Sequence, residues 1–214
     1  MFYPRLLISL IALTGLGACS AAYYGALENI GIEKRDILVD RVDEARDAQD
    51  EASEQFESAL EQYRSVVNFD GGDLEKIYDR LNREYERSVD DADKVRSRID
   101  SVERVAEDLF EEWTEEIEEF NSADLKRTSS QMLAETRTRY NSLLKAMRRA
   151  EATMNPVLEA FQDQVLVLKH NLNARAIGAL RSELDSLERD TAKLVAEMQK
   201  SISEADEFIR SMKS

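Results

Sequence analysis

Apolar residues recur at steps of three and four along most of this 214-residue chain. Those steps return to one face of an α-helix, the main structural signal a sequence carries. One stripe reads Ile77, Leu81, Tyr85, Val89, Ala92, Val95, Ile99, Val102, Leu109, Trp113 and Ile117. A later one reads Leu180, Leu184, Leu187, Leu194, Met198, Ile202 and Ile209. The earliest is thinner and rich in alanine: Ile37, Val42, Ala45, Ala48, Ala52, Phe56, Ala59 and Tyr63. No alternating run of β-branched residues competes with them, so the pattern predicts an all-α fold. Stripes of this spacing pack as coiled-coil-like seams, about 20° from parallel.

Turn signals divide the pattern. Asn68-Phe69-Asp70-Gly71-Gly72-Asp73 holds two adjacent glycines and a residue able to cap the next helix. Asn121-Ser122-Ala123-Asp124 offers three cap-type residues in four positions. The third turn has two candidates. Asn155-Pro156 places proline where a helix can begin, and Asn171-Leu172-Asn173 is the other. Length favours the second. It gives four helices of similar size, Ala26–Val67, Asp73–Phe120, Ala123–His170 and Ala174–Met212. Turning at Pro156 leaves one helix overhanging its neighbours by tens of ångströms, at about 1.5 Å per residue. The expectation is an elongated, antiparallel, up-down-up-down four-helix bundle over residues 26–214, roughly 60–70 Å long, with Pro156 inside the third helix at a cost of about 3 kcal/mol.

Charge changes this picture in two ways. Asp and Glu number 44 against 29 Lys and Arg, a net charge of −15. Such a surface repels nucleic acid and anionic lipid. The charges also test the topology. A turn near Leu172 sets Lys193 beside Glu151, Glu197 beside Arg148, Glu204 beside Arg139 and Arg181 beside Asp163. The acidic block Glu103 to Glu119 falls against the basic run Lys126 to Arg149. In the first hairpin Glu61 meets Arg80, Glu54 meets Arg87, Asp43 meets Arg98 and Lys34 meets Glu107, while Asp90 against Glu51 is a like-charge mismatch. Exposed pairs contribute about 0–1 kcal/mol each, so they bear on register more than on stability.

The N-terminus carries an address. Arg5 supplies a positive n-region, Leu6 to Leu13 an apolar h-region, and Gly15, Gly17 and Ala18 the small residues of a cleavage region. The apolar run is too short to span about 30 Å of hydrocarbon. Leu16-Gly17-Ala18-Cys19 is similar to the lipobox of bacterial lipoproteins; an ordinary secretory signal with a chance cysteine is the alternative. The resemblance implies a signal peptide over 1–18, lipid on Cys19 and a tether over 19–25. Two or three acyl chains hold stably in a membrane where one is marginal. Ser20, where Asp would favour inner-membrane retention, resembles a lipoprotein of the outer membrane facing the periplasm. Cys19 is the only cysteine, so no intrachain disulfide forms.

Chemistry is sparse. No G-x-x-x-x-G-K-[ST] phosphate loop occurs. One histidine, His170, and one cysteine exclude the usual zinc sets. No Glu-x-x-His supports a di-iron bundle, and Glu111-Glu112 with Glu115-Glu116 lacks the loop of an EF-hand. No cofactor, metal or catalytic set is expected. One polar cluster remains at the third turn: Lys169, His170, Asn171, Asn173 and Arg175. It suits helix capping, and it also suits a polar recognition tip for a cell-wall, lipid or protein partner.

Two blocks, Tyr23 to Val42 and Leu168 to Ile177, with the Leu16–Cys19 motif and Glu61-Gln62-Tyr63-Arg64, resemble the DUF2959 family of bacterial helical lipoproteins. The resemblance spans roughly residues 22–210 and implies no established activity. It leaves three readings. The first is a non-catalytic envelope scaffold or adaptor with an envelope protein partner and scope for homo-oligomers. The second is a periplasmic chaperone or apolar-ligand carrier, motivated by the thin first helix and by Met132, Met147, Met154 and Met198, since methionine surfaces adapt to varied partners. The third is an enzyme using carboxylates alone.

Overall fold

The computed structural model describes residues 34–68, 73–171 and 174–213, the side chains of 174–176 excepted. Four helices fill it: α1 (Lys34–Val67), α2 (Leu74–Glu119), α3 (Ala123–His170) and α4 (Ala174–Lys213). Each packs on the next and α4 packs back on α1. The result is an all-α, up-down-up-down four-helix bundle, and α2 and α3 make its long axis roughly 70 Å at about 1.5 Å per residue. The expected stretch 26–33 of the first helix and the Gly71-Gly72 turn lie outside the described residues. The helix ends that are described agree with expectation to within a residue. Asp73 caps α2 through bonds from the Glu75 and Lys76 amides, and Ser122 accepts from Leu125 at the start of α3.

The core is a stack of layers with heptad spacing. In α1 it runs Leu38, Val42, Ala45, Gln49, Ala52, Phe56, Ala59, Tyr63 and Val66. In α3 it includes Tyr140, Leu143, Met147, Ala150, Met154, Val157, Phe161 and Leu168. Steps of three and four hold to this rule even where it buries a polar residue. Val89, expected in the α2 seam, is only half-buried; Ser88 takes the layer and returns its hydroxyl to the Glu84 carbonyl at 2.9 Å. Ile202, expected in α4, is likewise half-buried beside fully buried Ser201. Register, not hydrophobicity, decides these positions, because a side chain one place off the seam points about 100° away.

Pro156 sits inside α3 and no turn forms there. Its ring removes one amide donor, that to the Ala152 carbonyl. Ala152 and Pro156 are both exposed, so water can serve that carbonyl. Asn155, beside it, accepts from the Arg96 guanidinium at 2.5 Å.

Ion pairs follow the topology but shift from the expected partners. Lys34 reaches Glu112 at 3.0 Å rather than Glu107, and Arg98 reaches Glu44 at 2.9 Å rather than Asp43. Arg149, not Arg148, lies 3.9 Å from Glu197. Arg148 faces α2 instead, at 2.7 Å from Asp100 and 2.5 Å from Glu103, and holds Glu151 of its own helix at 2.9 Å. Burial pulls the Arg148 pKa down, but the bonds to Glu151, Glu103 and Asp100 outweigh it and push it up. Arg87 pairs with Glu84 within α2 rather than with Glu54. Arg181 does not seek Asp163; it donates to the Val67 carbonyl at 2.9 Å and so closes the end of α1. Long flexible side chains reach about a turn along a neighbour, so charge spacing alone leaves register loose by that much.

The Asp90–Glu51 mismatch resolves one residue along. Lys94 pairs with Glu51, and Asp91 bears the crowding. Burial chiefly, then the charges of Glu51 and Asp90, raise the Asp91 pKa against the pull of Lys94. A carboxyl with a raised native pKa opposes folding when ionised in both states, and the opposition fades as pH falls through that pKa. Asp91→Asn is therefore expected to raise the urea midpoint near pH 7 and to leave it unchanged below about pH 3. A gain that persists at the lower pH would mean a cause other than charge.

Gln49 is the least expected core residue. It is fully buried, and neither its amide nitrogen nor its oxygen has a partner among the described residues. An unpaired buried amide costs about 1–3 kcal/mol. Gln49→Met keeps the volume and is expected to stabilise the bundle by about 1–2 kcal/mol in chemical denaturation. A loss of stability would show that the amide is satisfied after all.

Candidate functional site

The ends of the rod differ. At one end α1 stops, α2 starts, α3 stops and α4 starts; at the other the α2–α3 hairpin turns. The first end is closed by contacts between elements. Tyr63, fully buried, donates to the Leu180 carbonyl at 2.8 Å and meets the Phe161 ring edge-on, with centroids 6.0 Å apart. Burial, then the charge of Glu183, raises its phenol pKa. Arg64 reaches Glu188 at 2.7 Å. Three helices are thus joined through one aromatic side chain and its neighbours.

The expected polar tip lies at this end. Lys169, His170 and Asn171 are exposed and adjacent, closing α3. Asn173 lies outside the described residues, and Arg175 is described only as part of α4, without its side chain. What the structure brings together is therefore the α3 terminus alone. Asn171 gives its backbone amide to the Val167 and Leu168 carbonyls at 3.1 and 3.3 Å, and its side-chain amide to Val167 at 3.3 Å. That is helix capping, and Lys169 and His170 complement the negative helix end. Cys19 lies outside the described residues.

The other end is open. Lys34 stands level with Glu112, so α2 runs seven residues beyond the described start of α1, to Glu119. Near its end α4 places Ser211 and Met212 beside Glu135, Thr136 and Arg139 of α3. The α2–α3 hairpin therefore projects past the end of α4 by roughly 18 Å, at about 1.5 Å per residue. Its surface is mostly charged, with three exposed apolar side chains among the described residues. Phe120, Leu125 and Met132 are exposed at 40%, 56% and 54%, three of the four large exposed hydrophobic residues among those described.

Between the projecting helices and the ends of α1 and α4 opens a cavity of about 410 Å³. Leu109, Trp113, Met132 and Met212 give it apolar wall, and Arg35, Glu112, Glu116, Glu135 and Arg139 a charged rim. Trp113 is the only tryptophan in the chain; its indole N–H donates to the Ser129 hydroxyl at 2.9 Å, which fixes the ring on the wall. The sequence pattern placed Trp113 in a seam but missed this cavity. No sequence signal marks it, because Met132 stands directly before Leu133 and only the structure shows that Leu133 is buried and Met132 exposed. Of the four methionines considered as an adaptable surface, Met147, Met154 and Met198 are fully buried in the core, and only Met132 is exposed.

A second, shallower groove of about 790 Å³ lies between α2 and α3. Glu103, Glu107, Glu111 and Glu115 form one side, with Arg137, Tyr140 and Leu144 across it. Arg137 lies 5.3 Å over the Phe110 ring and donates to the Thr114 hydroxyl at 2.9 Å. Tyr140 packs edge-on to Phe110 and Phe208. The acidic face thus meets basic α3, as the charge pattern predicts. Among the described residues no group of three His, Cys, Asp or Glu is arranged to hold a metal ion, and no helix is long and apolar enough to cross a membrane.

The chain belongs to the DUF2959 family, proteins of unknown function, whose family model matches residues 23–212. No curated protein and no solved structure matches it. The match takes in the Tyr23-to-Glu33 stretch as well as the four helices.

Capping and recognition at the α3 terminus separate by mutation. Asn171→Ala is expected to lower stability by about 0.5–1 kcal/mol, while Lys169→Ala and His170→Ala each stay within about 0.5 kcal/mol of the parent in thermal melts. A larger loss from His170→Ala would assign it structural contacts it does not make here.

Proposed function

For this member of the family we propose a non-catalytic role as a lipid-anchored helical spacer and adaptor of the bacterial envelope. The observation that supports it most is geometric. Cys19 of Leu16-Gly17-Ala18-Cys19 lies fifteen residues before Lys34, the first described residue of α1, which stands at one end of the bundle's long axis. Lipid on Cys19 would hold that end close to the membrane and direct α1 away from it. The closed end, with Tyr63 and the α3 terminus, would then stand roughly 70 Å out, at about 1.5 Å per residue. Ser20 supports the inner leaflet of the outer membrane as the address, with the rod in the periplasm. The strongly acidic surface suits a protein partner or a second copy better than nucleic acid.

A second reading, a carrier of apolar ligands, draws on one observation. The open-end cavity of about 410 Å³ falls within the range of small-molecule sites. Its charged rim and shallow apolar wall fit that use less well than a deep apolar pocket would.

The anchor carries the first reading, so its test is direct. The full chain and its Cys19→Ser variant are expressed in a Gram-negative host with radiolabelled palmitate. The parent is expected to take up label and sediment with the outer membrane; the variant is expected to do neither. Label-free parent protein in the soluble periplasmic fraction would overturn the anchored reading.

A further inference from the structure

We propose that the groove between α2 and α3 is a binding site for a linear polyamine, with its ammonium groups held along Glu103, Glu107 and Glu111 and its central amine on the hydroxyl of Tyr140. The inference is independent of lipid on Cys19 and of any protein partner.

An unpaired hydroxyl carries it. Tyr140 is 6% exposed, and its phenol oxygen has no hydrogen-bond partner among the described residues. A buried polar group left unpaired costs stability, and native structures leave few of them. The neighbouring rings of Phe110 and Phe208 offer it no polar atom. Tyr140 lines the groove. Burial, then the charges of Glu103 and Glu107, raises its pKa against the pull of Arg148, which sets the hydroxyl toward the acidic wall.

That wall is a ladder of charge. Glu103, Glu107, Glu111 and Glu115 step by four residues, about 6 Å at about 1.5 Å per residue. Glu107, Glu111 and Glu115 are exposed and take no ion pair among the described residues. Glu103 shares Arg148 with Asp100 and Glu151, so its charge is only partly neutralised. Arg137 closes one end. It lies over Phe110 and donates to the Phe110 carbonyl at 3.0 Å and to the Thr114 hydroxyl at 2.9 Å. Its charge opposes a cation beyond Glu111. An acidic stretch from Glu103 to Glu111 remains, about 12 Å long, with Leu144 and the Tyr140 ring as apolar floor.

The occupant must therefore carry several positive charges along a thin apolar chain. Two amines joined by four methylenes are spaced about as far apart as two successive carboxylates of the ladder. The central ammonium donates to the Tyr140 oxygen, its neighbours donate to the glutamates, and the methylenes lie on the floor. A single metal ion does not fit, because no three acidic groups among the described residues are arranged to close on one. An extended basic peptide fits less well. The helix backbones bond internally and would leave its amides and carbonyls unpaired.

The test is titration calorimetry on the full chain in non-ionic detergent, with spermidine as probe in about 0.15 M salt, where loose counterion attraction is screened. One spermidine per chain is expected, whereas magnesium and butylamine give no saturable heat. Glu107→Gln with Glu111→Gln is expected to weaken binding about ten-fold or more. Glu57→Gln with Glu61→Gln, an exposed pair of the same spacing on α1, is expected to leave it unchanged. Tyr140→Phe is expected to weaken binding about three-fold while the melting temperature stays level or rises, because the variant loses both the ligand's acceptor and the unpaired hydroxyl. Absence of saturable spermidine binding, equal binding of magnesium, or an equal loss from the α1 pair would overturn the proposal. So would parental affinity in Tyr140→Phe, or a fall in its melting temperature, which would mean that the hydroxyl already has a partner.

Discussion

The spacing of the core layers is the constraint on which the rest of this structure depends. Steps of three and four give one average period, 3.5 residues, and all four helices obey it. Because the period is shared, a layer from one helix meets a layer from each neighbour along the whole rod. Nothing else in the chain would hold helices of this length together. Disulfides are excluded by the single cysteine, and exposed ion pairs contribute too little. Fully buried Leu38, Leu81, Met147 and Leu187 are components of one repeating contact.

A rule that strict also determines where the protein accepts a cost. Ser88, Thr191, Ser201 and Gln49 occupy core positions that alternative side chains would fill without polar groups. Ser88 recovers its hydrogen bond from its own helix, as serine can, whereas the Thr191, Ser201 and Gln49 side chains find no partner among the described residues. Buried polar groups in coiled-coil seams are best known for fixing register, and a bundle whose layers look alike has register to fix. Apolar Val89 and Ile202 stand immediately beside Ser88 and Ser201. A slip of one residue would bury Val89 and Ile202, yet it would turn the apolar layers on both sides out of the core.

Fold class, helix number and turn positions were legible because they depend on features that are local and repeated. Asp73 and Ser122 are readable caps, and Asn171 is a readable stop. The proline was read correctly only through length, since locally Asn155-Pro156 resembles a start. The individual ion pairs were not legible. A guanidinium such as Arg148 holds Asp100, Glu103 and Glu151 together rather than Glu197, a choice that spacing does not encode. Nor was the open end. It arises from a difference in height between the α2–α3 turn and the end of α4, where Met212 lies beside Glu135 and Arg139. The polar tip was legible as a cluster, but its meaning was not: capping and recognition use the same residue types.

Tyr63 has a mechanical consequence. It joins the far end of α1 to α4 and α3, while the chain enters α1 at the opposite end. A pull on the entering chain along the rod axis therefore loads α1 in shear. Layers from Leu38 to Val66 must slide past α2 and α4 together, with the Tyr63 bond and the Arg181 clasp on Val67 as the last fixed points. A sideways pull would instead peel layers one at a time. The same set of contacts is thus stiff along its length and compliant across it.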